Sequence, residues 1–308
     1  MIENNIYGDP ESELRWTSLS LRKIQKILEE DYSIIISHST IARILKDLGI
    51  SRKKNKKYNQ IGQTSKFREH QFIYIKAIIE EFKSLGLPII SIDSKYRIVL
   101  GNYSNNGTIY TKDEPIKTFD HDFITPDTTK LHPFGIYCLN NNTGYINLNT
   151  THDTSEFEAN SIIFWWNYIG KYQFPKADRI LILSDCGGSN RARGQAWKEQ
   201  LLIVALMTGL NIAVSHYPSG CSKYNPIEHR MFSFISINWQ GIPLTNQDLC
   251  ASLISNTKTT SGLSIMCSID NNEYKLDNRM FADDEFDELS VLVRDEWIPE
   301  WNYCIIVD

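Results

Sequence analysis

The apolar positions along the chain follow two regimes. Up to about residue 87 they recur at helical spacing, and from Pro88 onward they gather into short continuous runs. In the first regime Leu21, Ile24, Ile27 and Leu28 share one helix face, with Ser20 placed to cap it and Asp31 near its end. Ile41, Ile44, Leu45 and Leu48 mark a second helix, starting at Ser39 or Thr40 and closed by Gly49. A third helical segment covers 65–85, with Phe67, Ile75, Ile78, Ile79 and Phe82 as core candidates and Gly86 and Pro88 as its stop. In the second regime strands are predicted at 89–93, 134–139, 145–148, 179–185 and 212–217, and helices at 154–170, 195–208 and 226–239. Strands first, then strands alternating with helices, predict an α/β mixed sheet with helices on its faces. The polar stretch 102–130, rich in Asn, Thr and Asp, reads as a functional loop or a hairpin with a mobile end.

Three acids stand at informative places in this pattern. Asp93 and Asp185 each end an apolar strand, and Glu228 falls in the first turn of a helix that Pro226 opens. Carboxylates delivered by two strand ends and one helix suit a divalent-metal site for phosphoryl transfer. Taken singly, each acid is as readily a helix cap or a surface ion pair. Lys95 follows Asp93 by two and shares its strand face, so it either contacts the scissile phosphate or is a surface lysine. His216 ends a strand beside the site and His229 follows Glu228. Either suits orienting a phosphate or carboxylate, and the turn of the helix away from Glu228 favours His216. Ser189 and Asn190, after the Gly187-Gly188 pair, offer backbone amides to a phosphate. His152-Asp153 reads as a cap before the helix at Thr154, and Trp165 and Trp166 read as core.

Composition is that of an ordinary globular chain of 308 residues, with no apolar run long enough to span a bilayer and no leader-like front. The six cysteines include no C-x-x-C pair, which argues for reduced thiols in the cytoplasm rather than a disulfide framework. Net charge is −5, yet between Arg15 and Arg68 there are 13 Lys and Arg against four acids, while acids cluster after Asp270. The basic front contains the two short helices. Thr40, Arg43 and Lys46 lie on the outward face of the second, and Arg52, Lys53, Lys54, Lys56 and Lys57 follow it. This resembles a helix-turn-helix followed by a phosphate-neutralising run, and predicts salt-sensitive DNA binding. A helix hairpin with a solvated charged face is the plainer reading.

The order of elements, with acids at those places, resembles the ribonuclease H-like fold of DDE transposases and retroviral integrases. Ser222-Lys223-Tyr224-Asn225-Pro226-Ile227-Glu228-His229 resembles the element that carries the last acid in many insertion-sequence transposases. A narrower likeness, to the ISAzo-type or Rhodopirellula-type DDE transposases, rests on several motifs in order. They are Ser91-Ile92-Asp93-Ser94-Lys95, Gly101-Asn102-Tyr103, His121-Asp122-Phe123, Pro133-Phe134-Gly135-Ile136-Tyr137, and His152-Asp153-Thr154-Ser155-Glu156-Phe157. Trp165-Trp166, Asp185-Cys186-Gly187-Gly188-Ser189-Asn190 and Phe232-Ser233-Phe234-Ile235-Ser236 complete them. Cys186 stands where that group has Gly or Ala, Cys221 where it has Thr, and the front is expected to be shortened.

The resemblance implies four regions: a helix-turn-helix-like basic DNA-binding region at 1–64, a linking helix at 65–87, a ribonuclease H-like DDE catalytic domain at 88–265, and an acidic extension at 266–308. It implies a nucleoid-associated transposase in which Asp93, Asp185 and Glu228 hold two Mg²⁺ or Mn²⁺ ions. Such an enzyme cleaves strands at the terminal inverted repeats of an insertion sequence, joins them to target DNA, and works as a homo-oligomer on DNA. The other readings are a decayed or repurposed transposase that only binds DNA, and a ribonuclease H-like nuclease without strand transfer.

Overall fold

The computed structural model describes residues 7–8, 15–16, 19–53, 67–120, 124–125, 127–187, 194–276, 279–281, 285–286 and 289–307. The chain forms two units, Met1–Gly62 and Gln63–Asp308. The first contains a two-stranded antiparallel ribbon, β1 (Tyr7–Gly8) and β2 (Arg15–Trp16), then helices α1 (Leu21–Tyr32) and α2 (His38–Asp47). Ser20 caps α1 by accepting the Lys23 amide. The cap of α2 is Ser37, earlier than the expected Ser39 or Thr40, because the Ser37 hydroxyl accepts the Thr40 amide at 3.1 Å. Ile24 and Ile41, one from each helix, are buried, whereas Ile44 and Leu48 of the expected apolar face are exposed.

The second unit opens with α3 (Arg68–Ser84). Its sheet comprises β3 (Ile89–Ser94), β4 (Ile98–Val99), β5 (Lys130–Cys138) and β6 (Thr143–Asn149). Helix α4 (Ser155–Trp165) then runs through a π-helical turn (Trp166–Gly170) into the short α5 (Lys171–Gln173). Next come β7 (Arg179–Ser184), α6 (Gln195–Thr208), β8 (Asn211–His216), a π-helical turn (Glu228–Phe232), α7 (Ser233–Asn238) and α8 (Gln247–Ser255). Three strands close the chain: β9 (Ser264–Ile269), β10 (Leu292–Arg294) and β11 (Asn302–Ile305). The sheet runs β10-β11-β8-β7-β3-β5-β6-β9, with β4 paired to β5. β3, β7 and β8 are parallel, and β5 is antiparallel to both β3 and β6. Numbered by first appearance in the chain, the five central strands stand in the order 3-2-1-4-5, the ribonuclease H-like arrangement.

The sheet is covered on both faces, so its middle strands are apolar throughout rather than alternating with polar residues. Ile90, Ile92 and Ile182 meet α4 and α6 through Trp165, Trp197 and Leu201. Ile89, Leu181 and Leu183 point the other way, onto Ile75 and Phe82 of α3. The 65–87 segment, expected as a linking helix, is thus one of the covering layers. The tail likewise is more than an extension. β9 adds to β6 in parallel and β11 adds to β8, so residues after 263 complete both edges of the sheet. Among the described residues no helix is long and apolar enough to cross a membrane.

Candidate active site

Asp93 sits at the C-terminal end of β3, the central strand, opposite Gly135 of β5. Asp185 follows β7, the parallel neighbour of β3, by one residue. Parallel neighbours place their C-terminal ends together, so the two acids emerge on one edge of the sheet. The Asp185 carbonyl is held by His216 Nδ1 at 2.8 Å, and one of its carboxylate oxygens accepts the Gly187 amide at 2.9 Å.

Glu228 is brought in by a different device. Asn225 is fully buried and its side-chain amide donates to the Ile92 carbonyl at 3.0 Å. Its oxygen accepts the hydroxyl of Ser91, and that hydroxyl in turn accepts the Ile227 amide at 3.0 Å. The turn before Glu228 is thereby bonded to the two residues before Asp93. Gly135 allows the close approach. A β-carbon there would stand 2.6 Å from the Phe232 ring and 2.9 Å from Ile227.

The three carboxylates act on one another. Asp93 is pushed up to about 8 by burial, then by the charge of Asp185 and of Glu228, against the opposing Ser94 amide. Glu228 also lies within side-chain hydrogen-bonding reach of Asp93. Among the described residues no group of three His, Cys, Asp or Glu side chains is arranged to hold a metal ion as it stands. The donor set nevertheless fits hard divalent cations: all its ligand atoms are carboxylate oxygens, and their repulsion is what a cation relieves.

A cavity of about 400 Å³ opens over this edge, lined by Asp93, Asp185 and Gly187, and by Lys95, Tyr96 and Arg97 downstream of β3. Lys95 is on the wall, but its ammonium is committed elsewhere. It donates to Ser236 Oγ at 2.6 Å and lies 5.4 and 5.5 Å from the Phe232 and Trp239 rings. Burial lowers its pKa, against the pull of Glu228.

His216 is a correction to the sequence reading. It is fully buried, with Nδ1 on the Asp185 carbonyl and Nε2 at 3.1 Å from the Tyr303 hydroxyl. The carbonyl only accepts, so Nδ1 carries the hydrogen and Nε2 accepts from Tyr303. Burial lowers its pKa to about 4, which keeps it neutral. It holds the Asp185 backbone and is not among the residues that line the cavity. His229 is exposed and bonds the Lys223 carbonyl.

The remaining candidates are spread out. Arg43, Lys46, Arg52 and Lys53 are exposed in the first unit, and Thr40 is half-buried with its hydroxyl 2.9 Å from that of Ser37. Lys54, Lys56, Lys57, Ser189 and Asn190 lie outside the described residues. Trp165 and Trp166 are buried.

Sequence reading gave no site role to six side chains of the cavity, Ser94 among them. Tyr96 and Arg97 are exposed at its mouth, and His132, Asp153 and Glu158 line it. Asp153 reads as a cap in sequence, but Thr154 takes that role by accepting the Phe157 amide. Glu158 carried a usable signal: it precedes Ile162 by four and Trp165 by seven, which puts an acid on the apolar face of α4.

The sequence matches the family described as Rhodopirellula transposase DDE domain over residues 1–307. No curated protein matches it. Among solved structures it is similar to the Mos1 transposase paired-end complex with left transposon end, at 13% identity and TM-score 0.42, covering 78% of this chain and 71% of that one. A pre-cleavage Mos1 transpososome gives 12% identity and TM-score 0.41 over 78% and 71%. The Mos1 mariner paired-end complex with Mn gives 13% and 0.42 over the same shares.

Proposed function

The chain belongs to the Rhodopirellula transposase DDE-domain family, and from that premise we propose that it cleaves DNA strands at the ends of an insertion sequence and joins them to target DNA. The observation that carries this reading is the meeting of Asp93, Asp185 and Glu228 at one sheet edge, where Asp93 feels both other acids. Asp93 lies between the other two acids electrostatically, its carboxyl raised by burial and then by the charges of both Asp185 and Glu228. Asp93, Asp185 and Glu228 would hold Mg²⁺ or Mn²⁺ through carboxylate oxygens, the donor type that hard divalent cations take. Bound there, the ions supply activation of an attacking oxygen and stabilisation of the leaving one.

The protein's own residues set the geometry. The Ser91–Asn225 lock and the His216 bond hold Glu228 and Asp185 against β3. Tyr96 and Arg97 stand at the mouth as a stacking face and a phosphate contact, while Lys95 packs into the wall with its ammonium on Ser236. In the first step water attacks a phosphodiester, and the P–O3′ bond breaks to free a 3′-hydroxyl. In the second that hydroxyl attacks a target phosphodiester, forming one P–O bond as another breaks. The exposed Arg43, Lys46, Arg52 and Lys53 bind the terminal repeats, and two copies on two ends form the working assembly.

The test is nicking and joining of the element's own end DNA with Mg²⁺ or Mn²⁺, wild type against Asp185→Ala. Joining by the wild type that the variant loses supports the reading. End binding without cleavage by the wild type refutes it and leaves a DNA-binding protein.

A further inference from the structure

Glu158 is an acid that neither the catalytic triad nor the fold accounts for. It lies in the first turns of α4, fully buried, and lines the cavity beside Asp93 and Asp185. Among the described residues its Oε2 has no hydrogen-bond partner. Its Oε1 is 3.4 Å from Ser94 Oγ, which also donates to Asp153 Oδ1 at 3.0 Å. One hydroxyl hydrogen serves only one of these acceptors at a time. The Ser94 amide meanwhile donates to Asp93 Oδ1 at 2.8 Å, so a single residue joins the triad to this second pair of acids.

A buried carboxylate oxygen without a donor is destabilising, since it has lost water and gained nothing. The favourable field of a helix N-terminus does not explain it, since Glu156 occupies the same turn without being buried. Protonation on Oε1 would let it donate to Ser94 Oγ, but it leaves Oε2 without a donor. Whatever completes Glu158 enters from the cavity and brings hydrogen-bond donors and positive charge. Burial, then the charges of Asp153 and Asp93, hold its carboxyl well above the ordinary range, an imbalance that a cation corrects.

We propose that Glu158 and Asp153 form an outer ring of the cation site, accepting hydrogen bonds from water molecules carried by a divalent cation at the triad. This rests on the proposed function. Mg²⁺ gives up its waters reluctantly, so a site with few carboxylates leaves water hydrogens that need acceptors. Groups of this kind typically change metal affinity 10- to 100-fold.

The experiment is calorimetric titration of Mn²⁺ into the full chain, with the thermal midpoint of each metal-free variant measured alongside. Glu158→Gln keeps shape and removes charge. We expect its Kd for Mn²⁺ to rise about tenfold or more, with a metal-free midpoint equal to or above wild type. A Kd within twofold of wild type overturns the proposal, as does a lowered midpoint with unchanged affinity, which marks a packing role. If Glu158→Gln does not fold, Asp153→Asn carries the same two outcomes. Asp93→Asn separates the two readings. If it abolishes Mn²⁺ binding while Glu158→Gln does not weaken it, only the outer ring falls. If the wild type binds no Mn²⁺, the metal reading of the triad falls with it.

Discussion

Asn225 is bonded to Ser91 and, through the Ile92 carbonyl, to the strand that carries Asp93, so the first and last acids of the site share one hydrogen-bonded frame. All four of the groups involved are buried and bonded to one another, counting the Ile227 amide on Ser91. Asn225→Ala strands the Ser91 hydroxyl and the Ile92 carbonyl. We expect a loss of about 1–3 kcal/mol in denaturant unfolding per stranded group, and strand joining reduced well beyond what the lost stability explains. End-DNA affinity, read by a gel-shift titration, stays at the wild-type value.

Stability without metal carries a pH signature. Asp93 is raised from 3.8 to about 8, so between those values the folded state holds a proton that the unfolded state has released. Stability therefore falls as pH rises through that window. Glu158 and Asp153, also raised, act with the same sign. His216 acts oppositely. Lowered from 6.5 to about 4, it stays neutral in the fold while the unfolded form binds a proton, so it adds stability as pH rises across that range. The net decline in the thermal midpoint is steepest between about 6.5 and 8 in chelator-treated protein. Asp93→Asn flattens it, and Mg²⁺ does the same for the wild type by displacing the proton.

Tyr96 and Arg97 are exposed at the cavity mouth and contribute little to the core. Replacing either by Ala leaves the unfolding midpoint in place. Arg97→Ala lowers the slope of log affinity against log salt by about 0.9, one phosphate contact. Tyr96→Ala weakens end binding by about 1–3 kcal/mol if an unpaired base stacks on the ring, with no change of salt slope. Arg43→Ala in the first unit also removes about one salt-slope contact, but leaves cleavage of pre-bound DNA unaffected.

Much of this architecture was legible because burial writes itself into apolar runs. The strands around Asp93 and Asp185 are buried on both faces, and their continuous hydrophobicity ends at the acids. Other parts left no such mark. β10 and β11 are three and four residues long, too short for a period, and β11 opens on a polar Asn302 that is buried against Gln71 and Ser215. Ser37, Ser39 and Thr40 are all hydroxyl residues able to cap α2, and sequence alone does not choose among them. Glu158 was hidden by its neighbours, since the aromatic residues of α4 dominate the pattern. His216 looked like a site residue because it ends a strand at the right edge. Which nitrogen faces what depends on β11, a strand that periodicity does not reveal.

The Tyr303–His216–Asp185 chain turns that last point into a test. Tyr303 is buried on β11, and its hydroxyl completes the imidazole whose other nitrogen holds the Asp185 backbone. Tyr303→Phe removes one oxygen and leaves Nε2 a buried acceptor without a donor. The expected cost is about 1–3 kcal/mol in denaturant unfolding. A proton on Nε2 would relieve the empty acceptor only by charging a ring whose burial disfavours charge. A tautomer shift would instead put the hydrogen on Nε2 and take the donor away from the Asp185 carbonyl. Either outcome loosens Asp185, so the rate of strand joining falls while end binding is kept. An unchanged rate in a destabilised Tyr303→Phe protein would show that β11 supports the sheet edge without positioning the acid.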